Sequence, residues 1–458
     1  RRRHLHRRLH AAGANSMTAG ATLVWGLGIA GRAVAQVLRQ RGEVVLVGDD
    51  ELSSEHRHFA LDLGVTLVEP KSDADLDELM AGVHRLAPAP GVPEGHRVID
   101  AARRAGRPIV SELELAYDFE VESGHHRPML GITGTDGKTT ATLMTKAILA
   151  SAGRRPEAVG NTETPLIAAL DSSADCFAVE CSSFRLAFTE RFRCKAAAWL
   201  NIAPDHLDWH TNYDSYFDAK AKLWAHVVAG DIAVAPVDDE DILAVARRSN
   251  ARVVTFGAAR GDYHAIDGVL TSPHGVIMDA RAMRRSLPHD VTNALAAAAL
   301  CIETGLATPA QVSDALSSFE HAAHRIEFVR ELDGVRWFND SKATSPHAAA
   351  VAIQSFDSIV LIAGGKNKDL DLNEMALHRD HVRAVVATGA SADAIEAAFA
   401  GHCEIRKAST MQEAIESARD LARSGDVVLL SPGCTSYDWY SNYAERGDDF
   451  RSRVSALK

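Results

Sequence analysis

The stretch Gly131-Ile132-Thr133-Gly134-Thr135-Asp136-Gly137-Lys138-Thr139-Thr140 has the residue types needed to hold phosphate. Its glycines let backbone N–H groups approach phosphate oxygens. Lys138 adds a full positive charge, and the Thr139 hydroxyl can ligate Mg²⁺. It is a variant loop: where the common phosphate loop has its first glycine this chain has Ile132, and Gly131 comes one residue early.

A second glycine pattern, Gly26-Leu27-Gly28-Ile29-Ala30-Gly31, matches G-x-G-x-x-G, and Asp49 and Asp50 follow about 20 residues on. Alone it predicts NAD binding, although any phosphate-bearing nucleotide could use the same loop. An NAD-dependent oxidoreductase would leave the second loop, with Lys138 and Thr139, unexplained.

Further polar groups stand where strands should end. Glu180 closes a hydrophobic run and is placed to hold Mg²⁺ or to be a surface carboxylate. Leu200-Asn201-Ile202-Ala203-Pro204-Asp205-His206-Leu207-Asp208-Trp209-His210 leaves another strand and is rich in candidate ligands. Lys220 and Lys222 read by themselves as a solvated helix face. Asn293 opens a helix and could cap it or touch a base. Arg325, the segment Asn339-Asp340-Ser341-Lys342-Ala343-Thr344, the loop Gly364-Gly365-Lys366-Asn367-Lys368 and Ser431-Pro432-Gly433-Cys434-Thr435-Ser436 complete the set, the glycine loop being suited to a carboxylate or phosphate. Polar strand ends in two blocks suggest a ligand cleft between domains.

The elements that must position these groups alternate. Short β-rich runs (21–25, 44–47, 65–68, 84–87, 108–110, 176–179, 196–200, 232–235, 358–363, 384–388, 426–430) are separated by helical patterns such as 32–41 and 141–150. This predicts an α/β protein with parallel sheets. Glu122 to Pro128 reads as a linker, and a third block begins near His324. The 458 residues suggest about three domains, and 46% hydrophobic with 24% charged residues fits a globular chain. The net charge of −12 argues against a nucleic-acid partner, and no apolar run reaches the length of a membrane span. The six cysteines lack metal or disulfide-framework spacing, which fits a reducing cytosol. Residues 1–20 read as a disordered basic extension, with Met17 beginning the folded protein.

These pieces, in this order, resemble the Mur ligase family, the ATP-dependent amino-acid ligases of peptidoglycan synthesis. Gly134-Thr135-Asp136-Gly137-Lys138-Thr139-Thr140 looks like that family's phosphate loop. Asn339 to Thr344, Leu430 to Ser436 and Glu445-Arg446-Gly447 look like the members that add D-glutamate. The resemblance covers about residues 21–455. It implies three domains: a Rossmann-like one at 21–123 for the UDP of the acceptor UDP-MurNAc-L-Ala, a P-loop-type ATPase one at 124–322, and a Rossmann-like one at 323–458 that brings the amino acid and closes over the cleft. The glycine pattern at Gly26–Gly31 is then not an NAD site.

The resemblance also implies roles. Gly134, Thr135, Asp136, Gly137, Lys138, Thr139 and Thr140, with Asn293, Arg325 and Asp340, would bind ATP. Thr139, Glu180, His206 and Lys220 would serve two Mg²⁺ sites, with Lys220 carbamylated, which replaces the bland reading of that lysine; Lys222 is the neighbouring alternative. Gly28, Ile29, Ala30, Gly31, Asp50, Asn161 and His206 would meet the UDP substrate. Thr344, Lys368, Ser436 and Tyr443 would frame D-glutamate, and Lys342 would support the phosphate or acyl phosphate. A cytoplasmic monomer is implied. This chain departs from the family's commoner residues at Asp136, Asp50-Glu51, Ala89, His289-Asp290 and Lys366. A ligase for L-glutamate and a catalytically silent nucleotide-binding scaffold are the remaining alternatives.

Overall fold

Short hydrophobic runs and the helices between them build three sheets in the computed structural model, which describes residues 20–368 and 370–458. The expected extension therefore lies outside the described residues, apart from Gly20. The first sheet holds β1 (Ala21–Trp25), β2 (Val45–Gly48), β3 (Thr66–Leu67) and β4 (Val83–Pro88) in the parallel order β3-β2-β1-β4. Helix α1 (Ile29–Gln40) starts at the end of β1. The run 108–110, predicted as a strand, makes only an isolated bridge from Ile109 to Leu86.

Helix α2 (Glu112–Ser123) turns three buried carboxylates to groups around the second sheet. Glu112 accepts from the Ile167 N–H at 2.7 Å and pairs with Arg185. Glu114 accepts from the N–H groups of Glu190, Arg191 and Phe192, and Glu120 pairs with Arg127. Buried charges must be partnered in this way or they oppose folding.

The second sheet contains β5 (Met129–Thr133), β6 (Pro156–Gly160), β7 (Cys176–Glu180), β8 (Ala196–Trp199), β9 (Ile232–Pro236), β10 (Arg252–Gly257), β11 (Tyr263–Ile266), β12 (Val269–Ser272) and β13 (Gly275–Asp279), in the order β13-β12-β11-β10-β9-β8-β5-β7-β6. Its central strands are buried on both faces. Ala197 and Trp199 enter one core cluster, Ala196 and Ala198 the other. Strand β5 lies between β7 and β8, so the chain can leave it toward either side. That is a topological switch point, where an α/β sheet opens a crevice at its carboxyl ends. Helices α3 (Lys138–Ser151), α4 (Tyr213–Ala221) and α5 (Pro288–Glu303) accompany this sheet.

The third sheet holds β14 (Glu327–Leu332), β15 (Val335–Asn339), β16 (Ile359–Gly364), β17 (Val382–Thr388), β18 (Glu404–Ala408) and β19 (Val427–Leu430), ordered β14-β15-β19-β16-β17-β18. Helix α6 (Tyr443–Ser455) closes the chain. The alternation predicts parallel sheets, but β11-β12-β13 and β14-β15 pair antiparallel. The β11-β12 and β14-β15 hairpins turn at Asp267-Gly268 and Asp333-Gly334, where both residues of each pair have positive φ. That is the signature of a tight hairpin turn.

The chain forms two compact units. One runs to Ser286 and includes Asp290–Phe319; the other is Leu287–His289 with Glu320–Lys458. All six cysteines are free, and among the described residues no helix is long and apolar enough to cross a membrane.

Candidate active site

The phosphate loop leaves the carboxyl end of β5 and enters α3 at Lys138. Gly137 sits before the helix with φ +80, and an added Cβ would stand 2.5 Å from the Asn293 side-chain oxygen. Only glycine tolerates both conditions without strain. Asn293 lies inside α5, past its start at Pro288, so it is not the helix cap that the sequence left open. Its buried amide faces the loop instead.

Asn201, to which no role was assigned from sequence, clamps the loop. Its side-chain oxygen accepts from the N–H groups of Thr135 (3.0 Å) and Asp136 (2.9 Å), and its amide donates to the Asp136 carbonyl. Those two loop N–H groups are therefore engaged within the protein. The N-terminal turn of α3 is left as the main source of backbone positive charge for phosphate.

Two lysines meet at one carbonyl. Lys138 Nζ donates to the carbonyl oxygens of Gly134 at 2.8 Å and Thr135 at 2.5 Å. Lys220 Nζ, on α4, donates to Gly134 at 2.7 Å. Lys220 is 1% exposed. Burial first, and then the nearby Lys138 charge, holds its amine well below the ordinary lysine range. Its Nζ lies 4.7 Å from the centre of the Tyr216 ring, and the Tyr216 hydroxyl is 2.9 Å from Thr135 Oγ1. Lys222 points elsewhere, donating to the carbonyls of Ala187 and Thr189. Of the two alternatives, only Lys220 faces the phosphate loop.

Glu180 ends β7 beside Ile132 of β5 and is 2% exposed. Its Oε1 accepts from Asn161 Nδ2 at 3.1 Å, while the equally buried Oε2 has no hydrogen-bond partner. A buried carboxylate oxygen with nothing to satisfy it is suited to a cation. His206 has φ +55, lies beside Asp205 (Nε2 to Oδ2, 3.3 Å) and meets the edge of Phe184. Among the described residues no three His, Cys, Asp or Glu side chains converge.

In the first sheet, Gly26 to Gly31 form a tight turn: a Cβ on Gly31 would stand 1.8 Å from the Gly26 carbonyl oxygen. Gly28 and Ile29 are exposed at the start of α1, where Ala30 and Gly31 are buried. Asp49 accepts from the Leu27 N–H at 2.6 Å and so shapes the turn, whereas Asp50 lies 3.0 Å from His96 Nε2.

The other unit brings its own set together. Asp340 accepts from the Ile326 N–H at 3.1 Å and from Ser431 Oγ at 2.8 Å, which ties the turn beside Arg325 to the end of β19. Lys342 Nζ lies 4.8 Å from the centre of the Tyr443 ring. The Gly433 N–H donates to Ala343, next to Thr344. Lys366 and Thr435 exchange backbone hydrogen bonds, which brings the loop bearing the exposed Lys368 beside Ser436.

Such an arrangement, a phosphate loop at a sheet switch point with two lysines and an unsatisfied carboxylate, defines a nucleotide-phosphate-binding α/β protein. Residues 132–301 match the Mur ligase middle domain, and residues 324–434 match the Mur ligase, glutamate ligase domain. A UDP-N-acetylmuramoylalanine–D-glutamate ligase of Frankia casuarinae is 39% identical over 95% of this chain and 93% of its own length. One of the same description from Myxococcus xanthus is 37% identical over 95% and 98%. The chain belongs to the Mur ligase family. Its fold is also that of UDP-N-acetylmuramate-alanine ligase of Thermotoga maritima (TM-score 0.57, 20% identity, 96% of this chain and 100% of that one). A pseudomurein peptide ligase type C of Methanothermus fervidus is similar in fold too (TM-score 0.59, 16% identity, the same coverage).

Proposed function

We propose that this chain joins D-glutamate to UDP-MurNAc-L-Ala at the expense of ATP, in peptidoglycan precursor synthesis. The observation that carries this reading is the likeness, over 95% of the chain, to ligases of that description. In the first step a carboxylate oxygen of the acceptor attacks the γ-phosphorus of ATP. An O–P bond forms, the bond to the β-phosphate oxygen breaks, and ADP leaves. In the second step the amine of D-glutamate attacks the acyl carbon. A C–N bond forms, the amine loses a proton, and inorganic phosphate departs with the acyl oxygen.

The residues suit this chemistry. Two anions must approach each other, so positive charge is needed where negative charge concentrates. Lys138 and the α3 N-terminus supply it, with Gly134 to Thr140 around the phosphates and Asn293 beside the loop; Arg325 would meet the ATP phosphates, Asp340 its ribose, and Lys342 would support the phosphate or acyl phosphate. Thr139, Glu180 and His206 would hold Mg²⁺ in two sites, and the metal would neutralise phosphate charge. Lys220 would act as its carbamate. Its lowered basicity leaves the amine neutral and free to attack CO₂: an N–C bond forms, a proton is released, and the neutral amine becomes an anionic carbamate. Gly28, Ile29, Ala30, Gly31, Asp50 and Asn161 would contact the UDP substrate, and Thr344, Lys368, Ser436 and Tyr443 would frame D-glutamate. The use of ATP and a UDP-linked acceptor supports a cytoplasmic location, where the chain would act as a monomer.

The test is Mg²⁺-dependent ADP release with UDP-MurNAc-L-Ala and D-glutamate, L-glutamate or no amino acid. Release that requires D-glutamate is the expected result. Release only with L-glutamate would change the product, and none with either would remove the reading.

A further inference from the structure

We infer that Arg446 is a positioning residue for the amino-acid subsite, fixing the strand-end loops that carry the groups assigned above to D-glutamate; this rests on the proposed function. Arg446 lies in the first turn of α6 and is 4% exposed. Its Nε donates to Ser341 Oγ at 2.9 Å, and its Nη2 donates to the carbonyls of Ser341 (2.8 Å) and Cys434 (3.1 Å). Ser341 stands between Asp340 and Lys342, and Cys434 is two residues before Ser436. Ser341 Oγ in turn donates to the Tyr443 carbonyl at 2.7 Å.

The third loop is held by shape. The Arg446 guanidinium lies so close to Gly365 that an added Cβ there would stand 3.2 Å from Nη1. Gly365 leads directly into the segment carrying Lys368. One planar group on the helix bearing Tyr443 therefore reaches the loops that follow β15, β16 and β19, a task its rigid fork suits and a lysine's flexible stem does not. Its hydrogen-bond acceptors are neutral oxygens, and the buried Nη1 has no hydrogen-bond partner. The positive charge, with Asp438 and Asp340 nearby, lies beneath loops that would receive a dicarboxylate. Because Arg446 is buried, it acts on the substrate through these loops and not by contact.

The experiment measures KM for each of the three substrates, kcat and thermal melting in wild type, Arg446→Lys and Ser341→Ala. Ser341→Ala removes the shared hydroxyl and leaves the guanidinium in place, so it carries the test should Arg446→Lys fail to fold. The expected result is a KM for D-glutamate raised about 10-fold or more in a folded variant, as a displaced loop would cause. The KM for UDP-MurNAc-L-Ala should stay within about twofold, because uniform damage would raise both. An unchanged KM for D-glutamate, an equal rise for every substrate, or a loss of kcat alone would overturn the inference. A wild type that releases no ADP with D-glutamate would instead bring down the functional reading, and this inference with it; an active wild type with unresponsive variants refutes only the role of Arg446.

Discussion

Lys220 Nζ lies 2.7 Å from the Gly134 carbonyl oxygen, the same oxygen that Lys138 reaches at 2.8 Å. Two amines on one acceptor cannot both carry their charge comfortably, and the buried one is the one held low. Lys220→Ala should therefore lose most ADP release and regain part of it when formate or acetate is added. Lys222→Ala should keep most activity. ADP release measured across a titration of added carboxylate checks both; full loss in Lys222→Ala with none in Lys220→Ala would reverse the assignment.

Lys138→Ala removes the main cation of the phosphate loop. ADP release should fall by about 10²–10³-fold, the usual effect of removing one group that stabilises developing charge. Retained release would revive the reading of a silent scaffold.

Gly137→Ala places a methyl group against Asn293 in a backbone region that L-residues avoid. The conformational penalty alone is about 1–2 kcal/mol. The KM for ATP should rise, and Asn293→Ala combined with Gly137→Ala should recover part of the lost stability in a double-mutant cycle. Strictly additive losses would show that the two positions do not press on each other.

Glu180→Gln keeps shape and removes charge from the buried carboxylate whose Oε2 has no hydrogen-bond partner. The Mg²⁺ concentration needed for half-maximal ADP release should increase, whereas melting of the metal-free protein should stay level or rise, because an uncompensated charge is lost. An unaltered Mg²⁺ requirement would take Glu180 out of the metal site.

His210 is buried among Trp209, Phe184 and Tyr216, near Glu94, and burial pushes its imidazole down to about 4. Between the unfolded value near 6.5 and about 4 the unfolded chain binds a proton that the folded one refuses, so stability must fall as pH falls through this window. The loss from this group is on the order of 3 kcal/mol. Denaturant melts at pH 7, 5.5 and 4.5 should show a steeper loss for wild type than for His210→Phe; parallel curves would exclude it.

Much of the sheet structure was legible because a strand buried on both faces must be a short hydrophobic run, as at 176–179, 232–235 and 358–363. The Asp-Gly hairpins at Asp267-Gly268 and Asp333-Gly334 carried a usable signal, since both turn residues need positive φ, but the alternating pattern around them pointed to parallel sheets. The phosphate loop and its lysines could be found from glycine spacing and charge. Asn201 and Arg446 could not be weighed in the same way. Their partners lie 65 and 105 residues away in the chain, at Asp136 and Ser341, and neither residue differs in type from an ordinary surface amide or guanidinium. For Asn293 the sequence leaves a cap and a contact to a base both open, and the cap fails because the helix begins earlier, at Pro288.

Helix α2 sends Glu112 and Glu114 into buried contacts around the second sheet, with Glu120 paired to Arg127 at the entrance to β5. The helix that follows the first sheet in the chain is thereby fastened to the second. On the proposed function, the unit would act as a molecular ruler. An acceptor anchored there by its diphosphate would present its carboxylate at a distance fixed by its own length. A precursor one amino acid longer would overshoot the phosphate loop, and selection against an already extended chain would follow from span alone, without any contact to the added residue.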